Sequence, residues 1–174
     1  MRAARRTGPG RAPAPLTVVA ALACAALTGC GSTASAKDAP AGMTVCAHAG
    51  DVDRLTIGRV DSFPRNHVYF SFPAQVAVTS AHRSQAVARA LCALPAMPAG
   101  AFSCPADWGI NYRLIFTVGD GKLALVTVDA TGCQQVYGLG PVRWTVVSPG
   151  FWGILATAAG IGPADRATFT GTPP

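Results

Sequence analysis

Residues 111–129, NYRLIFTVGDGKLALVTVD, constrain the fold of this chain more than any other stretch. Asn111–Val118 alternates, setting Tyr112, Leu114, Phe116 and Val118 on one face. A period of two marks a half-buried strand. Lys122–Asp129 is also strand-like, and Gly119-Asp120-Gly121 separates the two runs. Asp-Gly between such runs is a strong signal for a two-residue hairpin turn. A turn on Asp120-Gly121 sets Phe116 opposite Leu125 and Leu114 opposite Thr127. Carried outward, that register brings Trp108 opposite Cys133, with Cys104 a short loop away.

The start of the chain is of a different kind. MRAARRTGPGRAPAP carries Arg2, Arg5, Arg6 and Arg11 and no acid. The apolar run Leu16–Gly29 follows, shorter than the roughly 20 residues that a membrane-spanning helix needs. A basic head, a short apolar run and small residues before a cut make a secretory signal. Leu27-Thr28-Gly29-Cys30 resembles the bacterial lipobox, in which a small residue precedes an invariant cysteine. The resemblance implies that residues 1–29 are removed and that Cys30 carries diacylglycerol through a thioether and is N-acylated. The alternative is a plain secretory signal. Two acyl chains at about 0.8 kcal/mol per buried methylene hold a protein firmly on a membrane. Arg5-Arg6 lacks the apolar follow-up of a twin-arginine signal and reads as general head charge.

Losing residues 1–29 removes four arginines and lowers the formal charge from +6 to +2. That balance excludes the dense basic face a nucleic-acid binder needs. Residues 30–45, CGSTASAKDAPAGMTV, read as a lipid-anchored flexible linker, residues 46–162 as a single domain, and 163–174 as a loose tail.

Four cysteines remain in the mature chain: Cys46, Cys92, Cys104 and Cys133. Outside the membrane, four cysteines read as two disulfides with three possible connectivities. Zinc would favour close pairs such as C-x2-C, which are absent here, so no metal is expected. The hairpin register favours Cys104–Cys133 as a staple across its open end, worth about 3–4 kcal/mol in the chain-entropy model. Cys46–Cys92 follows by elimination and ties the domain start to a helix.

That helix spans residues 81–94, AHRSQAVARALCAL, with Val87, Ala88, Leu91, Cys92 and Leu94 at helical spacing. Thr79 or Ser80 caps its start and Pro95 ends it. Arg54–Val60, His67–Phe72, Gln75–Thr79 and Val142–Val147 read as strands, and Phe151–Ile161 as a short apolar helix. The order implies an α+β fold: an antiparallel sheet with a central hairpin at 111–129 and helices over one face.

Several of these residues form a longer pattern. Leu94-Pro95-x-Met97-Pro98-x-Gly100 precedes Cys104-Pro105-x-Asp107-x-Gly109-x-x-Tyr112-x-Leu114-x-Phe116, then Gly132-Cys133 and Phe151-Trp152. Residues 72–153 thereby resemble a secreted or lipoprotein domain of Gram-positive bacteria. Ser80-Ala81-His82 stands where that domain carries Asp-Pro-Ala. The resemblance implies export, this fold and the Cys104–Cys133 pair, and it implies no activity.

Catalytic chemistry finds little support. His48, His67 and His82 lie in a loop, at a strand start and in a first helical turn, with no Gly-x-Ser-x-Gly elbow nearby. The acids are all aspartates, and Asp51, Asp53, Asp61 and Asp120 sit at turns. YGLGPVRW has two glycines but no strand–turn–helix setting for a phosphate loop. No cofactor is expected. The helix at 151–161 has no polar face, which favours core packing over a membrane-surface role.

SCPADWGINY is the segment of interest. A Cys-anchored, Pro-stiffened loop with Pro105, Ala106, Asp107 and Trp108 is a possible binding surface. The structural alternative has Asp107 and Gly109 forming a turn while Trp108 packs on the disulfide. Cys-Pro-x-x-aromatic, a hairpin and a cysteine about 30 residues on also resemble the bacterial subtilisin-inhibitor family. There a disulfide-held loop after Cys-Pro docks in a protease, which corresponds to Ala106 followed by Asp107. The Cys46-to-Cys92 spacing and the terminal helix depart from that family. The expectation is a lipoprotein on the extracytoplasmic face, carrying a non-catalytic binding or accessory module with a protein partner. A protease inhibitor and an unrecognised enzyme are the alternatives.

Overall fold

The structure is a computed structural model that describes residues 44–172. The expected signal, Cys30 and most of the expected linker lie outside the described residues. Strand β1 (Arg54–Asp61) leads to β2 (Gln75–Val78) and helix α1 (Ala81–Ala93). Then come β3 (Ile110–Val118), β4 (Gly121–Lys122), β5 (Val126–Asp129), β6 (Gln135–Tyr137) and β7 (Arg143–Trp144). Helices α2 (Gly150–Ala159) and α3 (Arg166–Thr170) close the chain. The sheet runs β2-β1-β3-β5-β6-β7, with β4 paired to β3, and every pairing is antiparallel. The chain is therefore α+β.

Alternation in the sequence becomes a single buried face. Leu55 pairs with Phe116 and Ile57 with Leu114. Leu114 pairs with Val126, Tyr112 with Val128, and Val128 with Val136. All of these side chains are buried, whereas Arg113 is exposed on the opposite face. Val87, Ala88 and Leu91 of α1 belong to the same core, as do Phe151, Trp152, Leu155, Ala156 and Ala158 of α2. Ser80 Oγ accepts from Arg83 N and caps α1. The guanidinium of Arg143 closes the other end by donating to the carbonyls of Cys92 and Leu94. Both cysteine pairs are at disulfide distance, with Cα separations of 5.5 Å for Cys46–Cys92 and 5.0 Å for Cys104–Cys133.

The structure corrects five expectations. The hairpin turns on Gly119-Asp120, not Asp120-Gly121, because Val118 pairs with Gly121. Asp53 Oδ2 accepts from Gly119 N at 2.6 Å and Arg54 donates to Gly119 O at 3.0 Å, which fixes the tip from β1. Between the Thr117–Lys122 and Leu114–Val126 pairs, the second strand holds one more residue than β3. That bulge brings Val126 rather than Thr127 opposite Leu114. A one-residue slip exchanges the faces of a strand, and only this register points both valines of β5 into the core.

His67–Phe72 is not a strand. Pro64–Asn66 forms a 3-10 turn, His67 closes it with φ 51°, and only Tyr69 pairs, with Thr172. The expected strand Val142–Val147 shrinks to Arg143–Trp144, and a turn from Thr145 to Ser148 leaves Val146 and Val147 exposed. The loose tail is instead part of the domain. Asp165 Oδ1 accepts from Ala167 N and starts α3, Phe169 is fully buried, and Tyr112 donates to Phe169 O at 2.8 Å.

Candidate functional site

Pro105, Ala106, Asp107 and Trp108 are all exposed, on a segment without regular structure that leads into β3. The segment is held from three sides. Cys104 is tied to Cys133 between β5 and β6. Asp107 Oδ1 accepts from Gly109 N at 2.9 Å, closing the turn expected there, and from Thr131 Oγ1 at 2.6 Å. Thr131 Oγ1 accepts in turn from Trp108 N at 3.2 Å. From the β1 side, Ser62 N donates to Gly109 O at 2.9 Å and Asn66 Nδ2 donates to Trp108 O at 3.3 Å. Gly109 takes φ 74°, which strains any side chain, and a Cβ there would also lie 2.5 Å from the Phe63 ring. The backbone is held while Trp108 as a residue remains 38% exposed.

The sheet beside the loop carries polar and aromatic groups that the sequence reading did not single out. Asn111 pairs with Asp129, and Thr127 with Tyr137. Tyr137 donates to Gln135, and Gln135 Nε2 donates to Met97 Sδ at 3.0 Å. Phe102 leans on Trp144 with ring centroids 5.7 Å apart. Burial pushes the Asp129 carboxyl up to about 6, and the negative charge of Asp107 adds to the effect. Tyr137 is also raised, first by burial and then by Asp129 and Asp107. These groups become visible only once the bulged register places Asp129 on the open face.

The histidines stand on separate elements. His48 ends the 3-10 turn Val45–Ala47 and lies 3.6 Å from Asp51, His67 ends the turn Pro64–Asn66, and His82 is in the first turn of α1. None hydrogen-bonds to a serine or to another histidine among the described residues. Asp53 and Asp61 accept backbone N–H groups at turns. Among the described residues there is no group of three or more His, Cys or Asp side chains placed to hold a metal.

Two clefts mark the surface. One of about 1010 Å³ runs between α1 and α2, with His82 and Arg83 on one side and Ile154 on the other. The second, of about 410 Å³, lies directly against the loop and is lined by Pro105, Ala106, Trp108, Thr131, Arg166 and Thr170. A tail read as loose hid this second cleft. The Pro-x-Asp start of α3, with Asp165 as N-cap, was the local signal that could have revealed it. No helix among the described residues is long and apolar enough to cross a membrane. No protein-family model, curated protein or solved structure matches this chain.

Proposed function

We propose that this chain is an exported lipoprotein held on the extracytoplasmic face of the cell membrane through lipid on Cys30. In this reading its folded domain is a non-catalytic binding module that docks a protein partner through Phe102–Trp108. One observation carries the docking assignment: exposed side chains stand on a backbone fixed by a cysteine pair and by hydrogen bonds from two neighbouring loops. A loop fixed in advance loses little conformational entropy on binding, so its exposed apolar surface contributes more fully to affinity. The motif Leu-Thr-Gly-Cys30 supports the anchor.

The anchor is tested by Cys30→Ala, which should release the protein into the medium; unchanged retention at the membrane refutes it. The docking face is tested with a photoreactive amino acid at Ala106 in the membrane-bound protein, and at the exposed Arg89 of α1 as control. A discrete adduct from position 106 alone is expected. Equal adducts from both positions, or none from 106, contradict the reading.

The same exposure supports a second reading, that of a subtilisin-type protease inhibitor. The Ala106–Asp107 bond follows the cysteine staple directly, and the Asp107 side chain is held by Gly109 and Thr131. One-to-one titration of a subtilisin-like protease, abolished by Ala106→Pro, is the expected behaviour; absence of titration rejects this reading.

A further inference from the structure

We propose that the cleft beside Trp108 receives an acidic side chain of a peptide or protein partner, with Arg166 as its selecting group. The inference rests on the reading that the loop face is where a partner sits, and it adds the chemistry of what is recognised.

The cleft is made by two parts of the chain far apart in sequence. The loop supplies Pro105 and Trp108 as an apolar wall, and the chain end supplies Arg166 and Thr170. Its volume of about 410 Å³ lies at the small end of ligand pockets and suits one or two side chains rather than an extended ligand. Gly171 borders it with φ 74°, and a Cβ at that position would lie 2.3 Å from Val68. Val68 and Phe70 thus leave no room for a side chain there, and glycine is what borders the cleft at that point.

Among the described residues, Arg166 is the one charged side chain lining the cleft. It is aimed as well as present: Nη1 donates to Ala130 O at 3.1 Å, which anchors the guanidinium against the end of β5. Among the described residues no carboxylate forms an ion pair with it, His48–Asp51 being the ion pair found. Asp107 in the loop and Asp165 beside Arg166 in the chain are engaged elsewhere. Asp107 accepts from Gly109 and Thr131, and Asp165 accepts from Ala167 N. An anchored guanidinium with no acid of its own presents its remaining N–H donors in the fork that matches a carboxylate. The indole and proline beside it suit the apolar stem or a neighbouring apolar residue. An acidic residue flanked by a hydrophobic one meets both requirements at once.

The test uses the full-length lipoprotein, 15N-labelled and held in detergent micelles. It is titrated with acetyl-Ala-Leu-Glu-Phe-amide and, separately, with the same peptide carrying Gln in place of Glu. The Trp108 indole and Arg166 side-chain resonances are followed, the indole being assigned with Trp108→Phe. The Glu peptide should move both and bind at least fivefold more tightly than the Gln peptide. Arg166→Gln should erase the preference and Arg166→Lys should keep part of it. Should Arg166→Gln fail to fold, the Glu-to-Gln ratio of the unaltered chain and its decline with salt decide the matter. Equal affinity of the two peptides, with shifts at the loop, overturns the acidic selection while leaving the docking face in place. Shifts confined to the α1–α2 cleft, or none at the loop with either peptide at millimolar concentration, overturn both.

Discussion

Gly138 and Gly140 flank Leu139 between β6 and β7, with φ of 91° and 94°. Their surroundings differ. A Cβ on Gly138 would fall 2.1 Å from the backbone oxygen of Leu125, whereas one on Gly140 meets nothing within 4 Å. Gly140→Ala carries only the conformational strain of a side chain at positive φ, about 1–2 kcal/mol. Gly138→Ala adds a clash with main chain that cannot swing aside, and should cost at least about 3 kcal/mol. Urea denaturation of the two variants checks this, and equal losses would mean that β5 yields easily at Leu125. Asp129 makes a prediction of opposite sign. Its folded carboxyl titrates near 6, above its ordinary range. Between about pH 4 and 6 the folded chain therefore binds more proton than the unfolded chain, and stability falls as pH rises through that window. Asp129→Asn should flatten the fall and raise stability at pH 7 by about 1 kcal/mol, solvent screening at this half-exposed group keeping the gain small. Denaturation midpoints at pH 4 and 7 measure it.

Helix α1 shows how far an element can be read from its own residues. Its apolar spacing, its Ser80 cap and its stop before Pro95 are all local, and the helix forms where those signals place it. Its C-terminal closure is not local. Arg143 reaches across from β7 to the carbonyls of Cys92 and Leu94, while its Nε is buried without a partner. A cation at a helix C-terminus is favourable both for the dipole and for the last carbonyls. Arg143→Met should cost about 2–4 kcal/mol by leaving those carbonyls without a donor. Faster amide exchange in the last turn of α1 than in its first would accompany that loss. The β3–β5 pairing marks the limit of local reading. Its alternating residues were legible, but its register was decided by a bulge that serves the core, not by Asp-Gly at the tip. The strand expected at His67–Phe72 failed for a related reason. Tyr69 finds only Thr172 to pair with, and a strand needs a partner along its length.

Across the whole molecule, the chain end turns out to be structural. Phe169 packs against Tyr112 and Trp152 with ring centroids 5.3 and 5.1 Å away. One phenylalanine among polar and small residues gives no periodic signal, so burial of Phe169 could not be read from the sequence alone. The cleft beside this segment had only the Pro-x-Asp start of α3 as a local signal. The loop was more legible, because Cys104, Pro105 and the Asp107–Gly109 turn are written in consecutive letters. What its sequence left open was the direction of Trp108, and the clamp from Thr131, Ser62 and Asn66 resolves it toward exposure. The central claim is that this loop docks a partner at the membrane. Given the proposed anchor, hydrogen–deuterium exchange of the full-length chain tests it most directly, comparing the protein in cell membranes with the protein purified in micelles. Residues 102–110 should exchange more slowly in the membrane, with α1 unchanged. Identical exchange of the loop in both settings, or protection appearing only at the α1–α2 cleft, would contradict it.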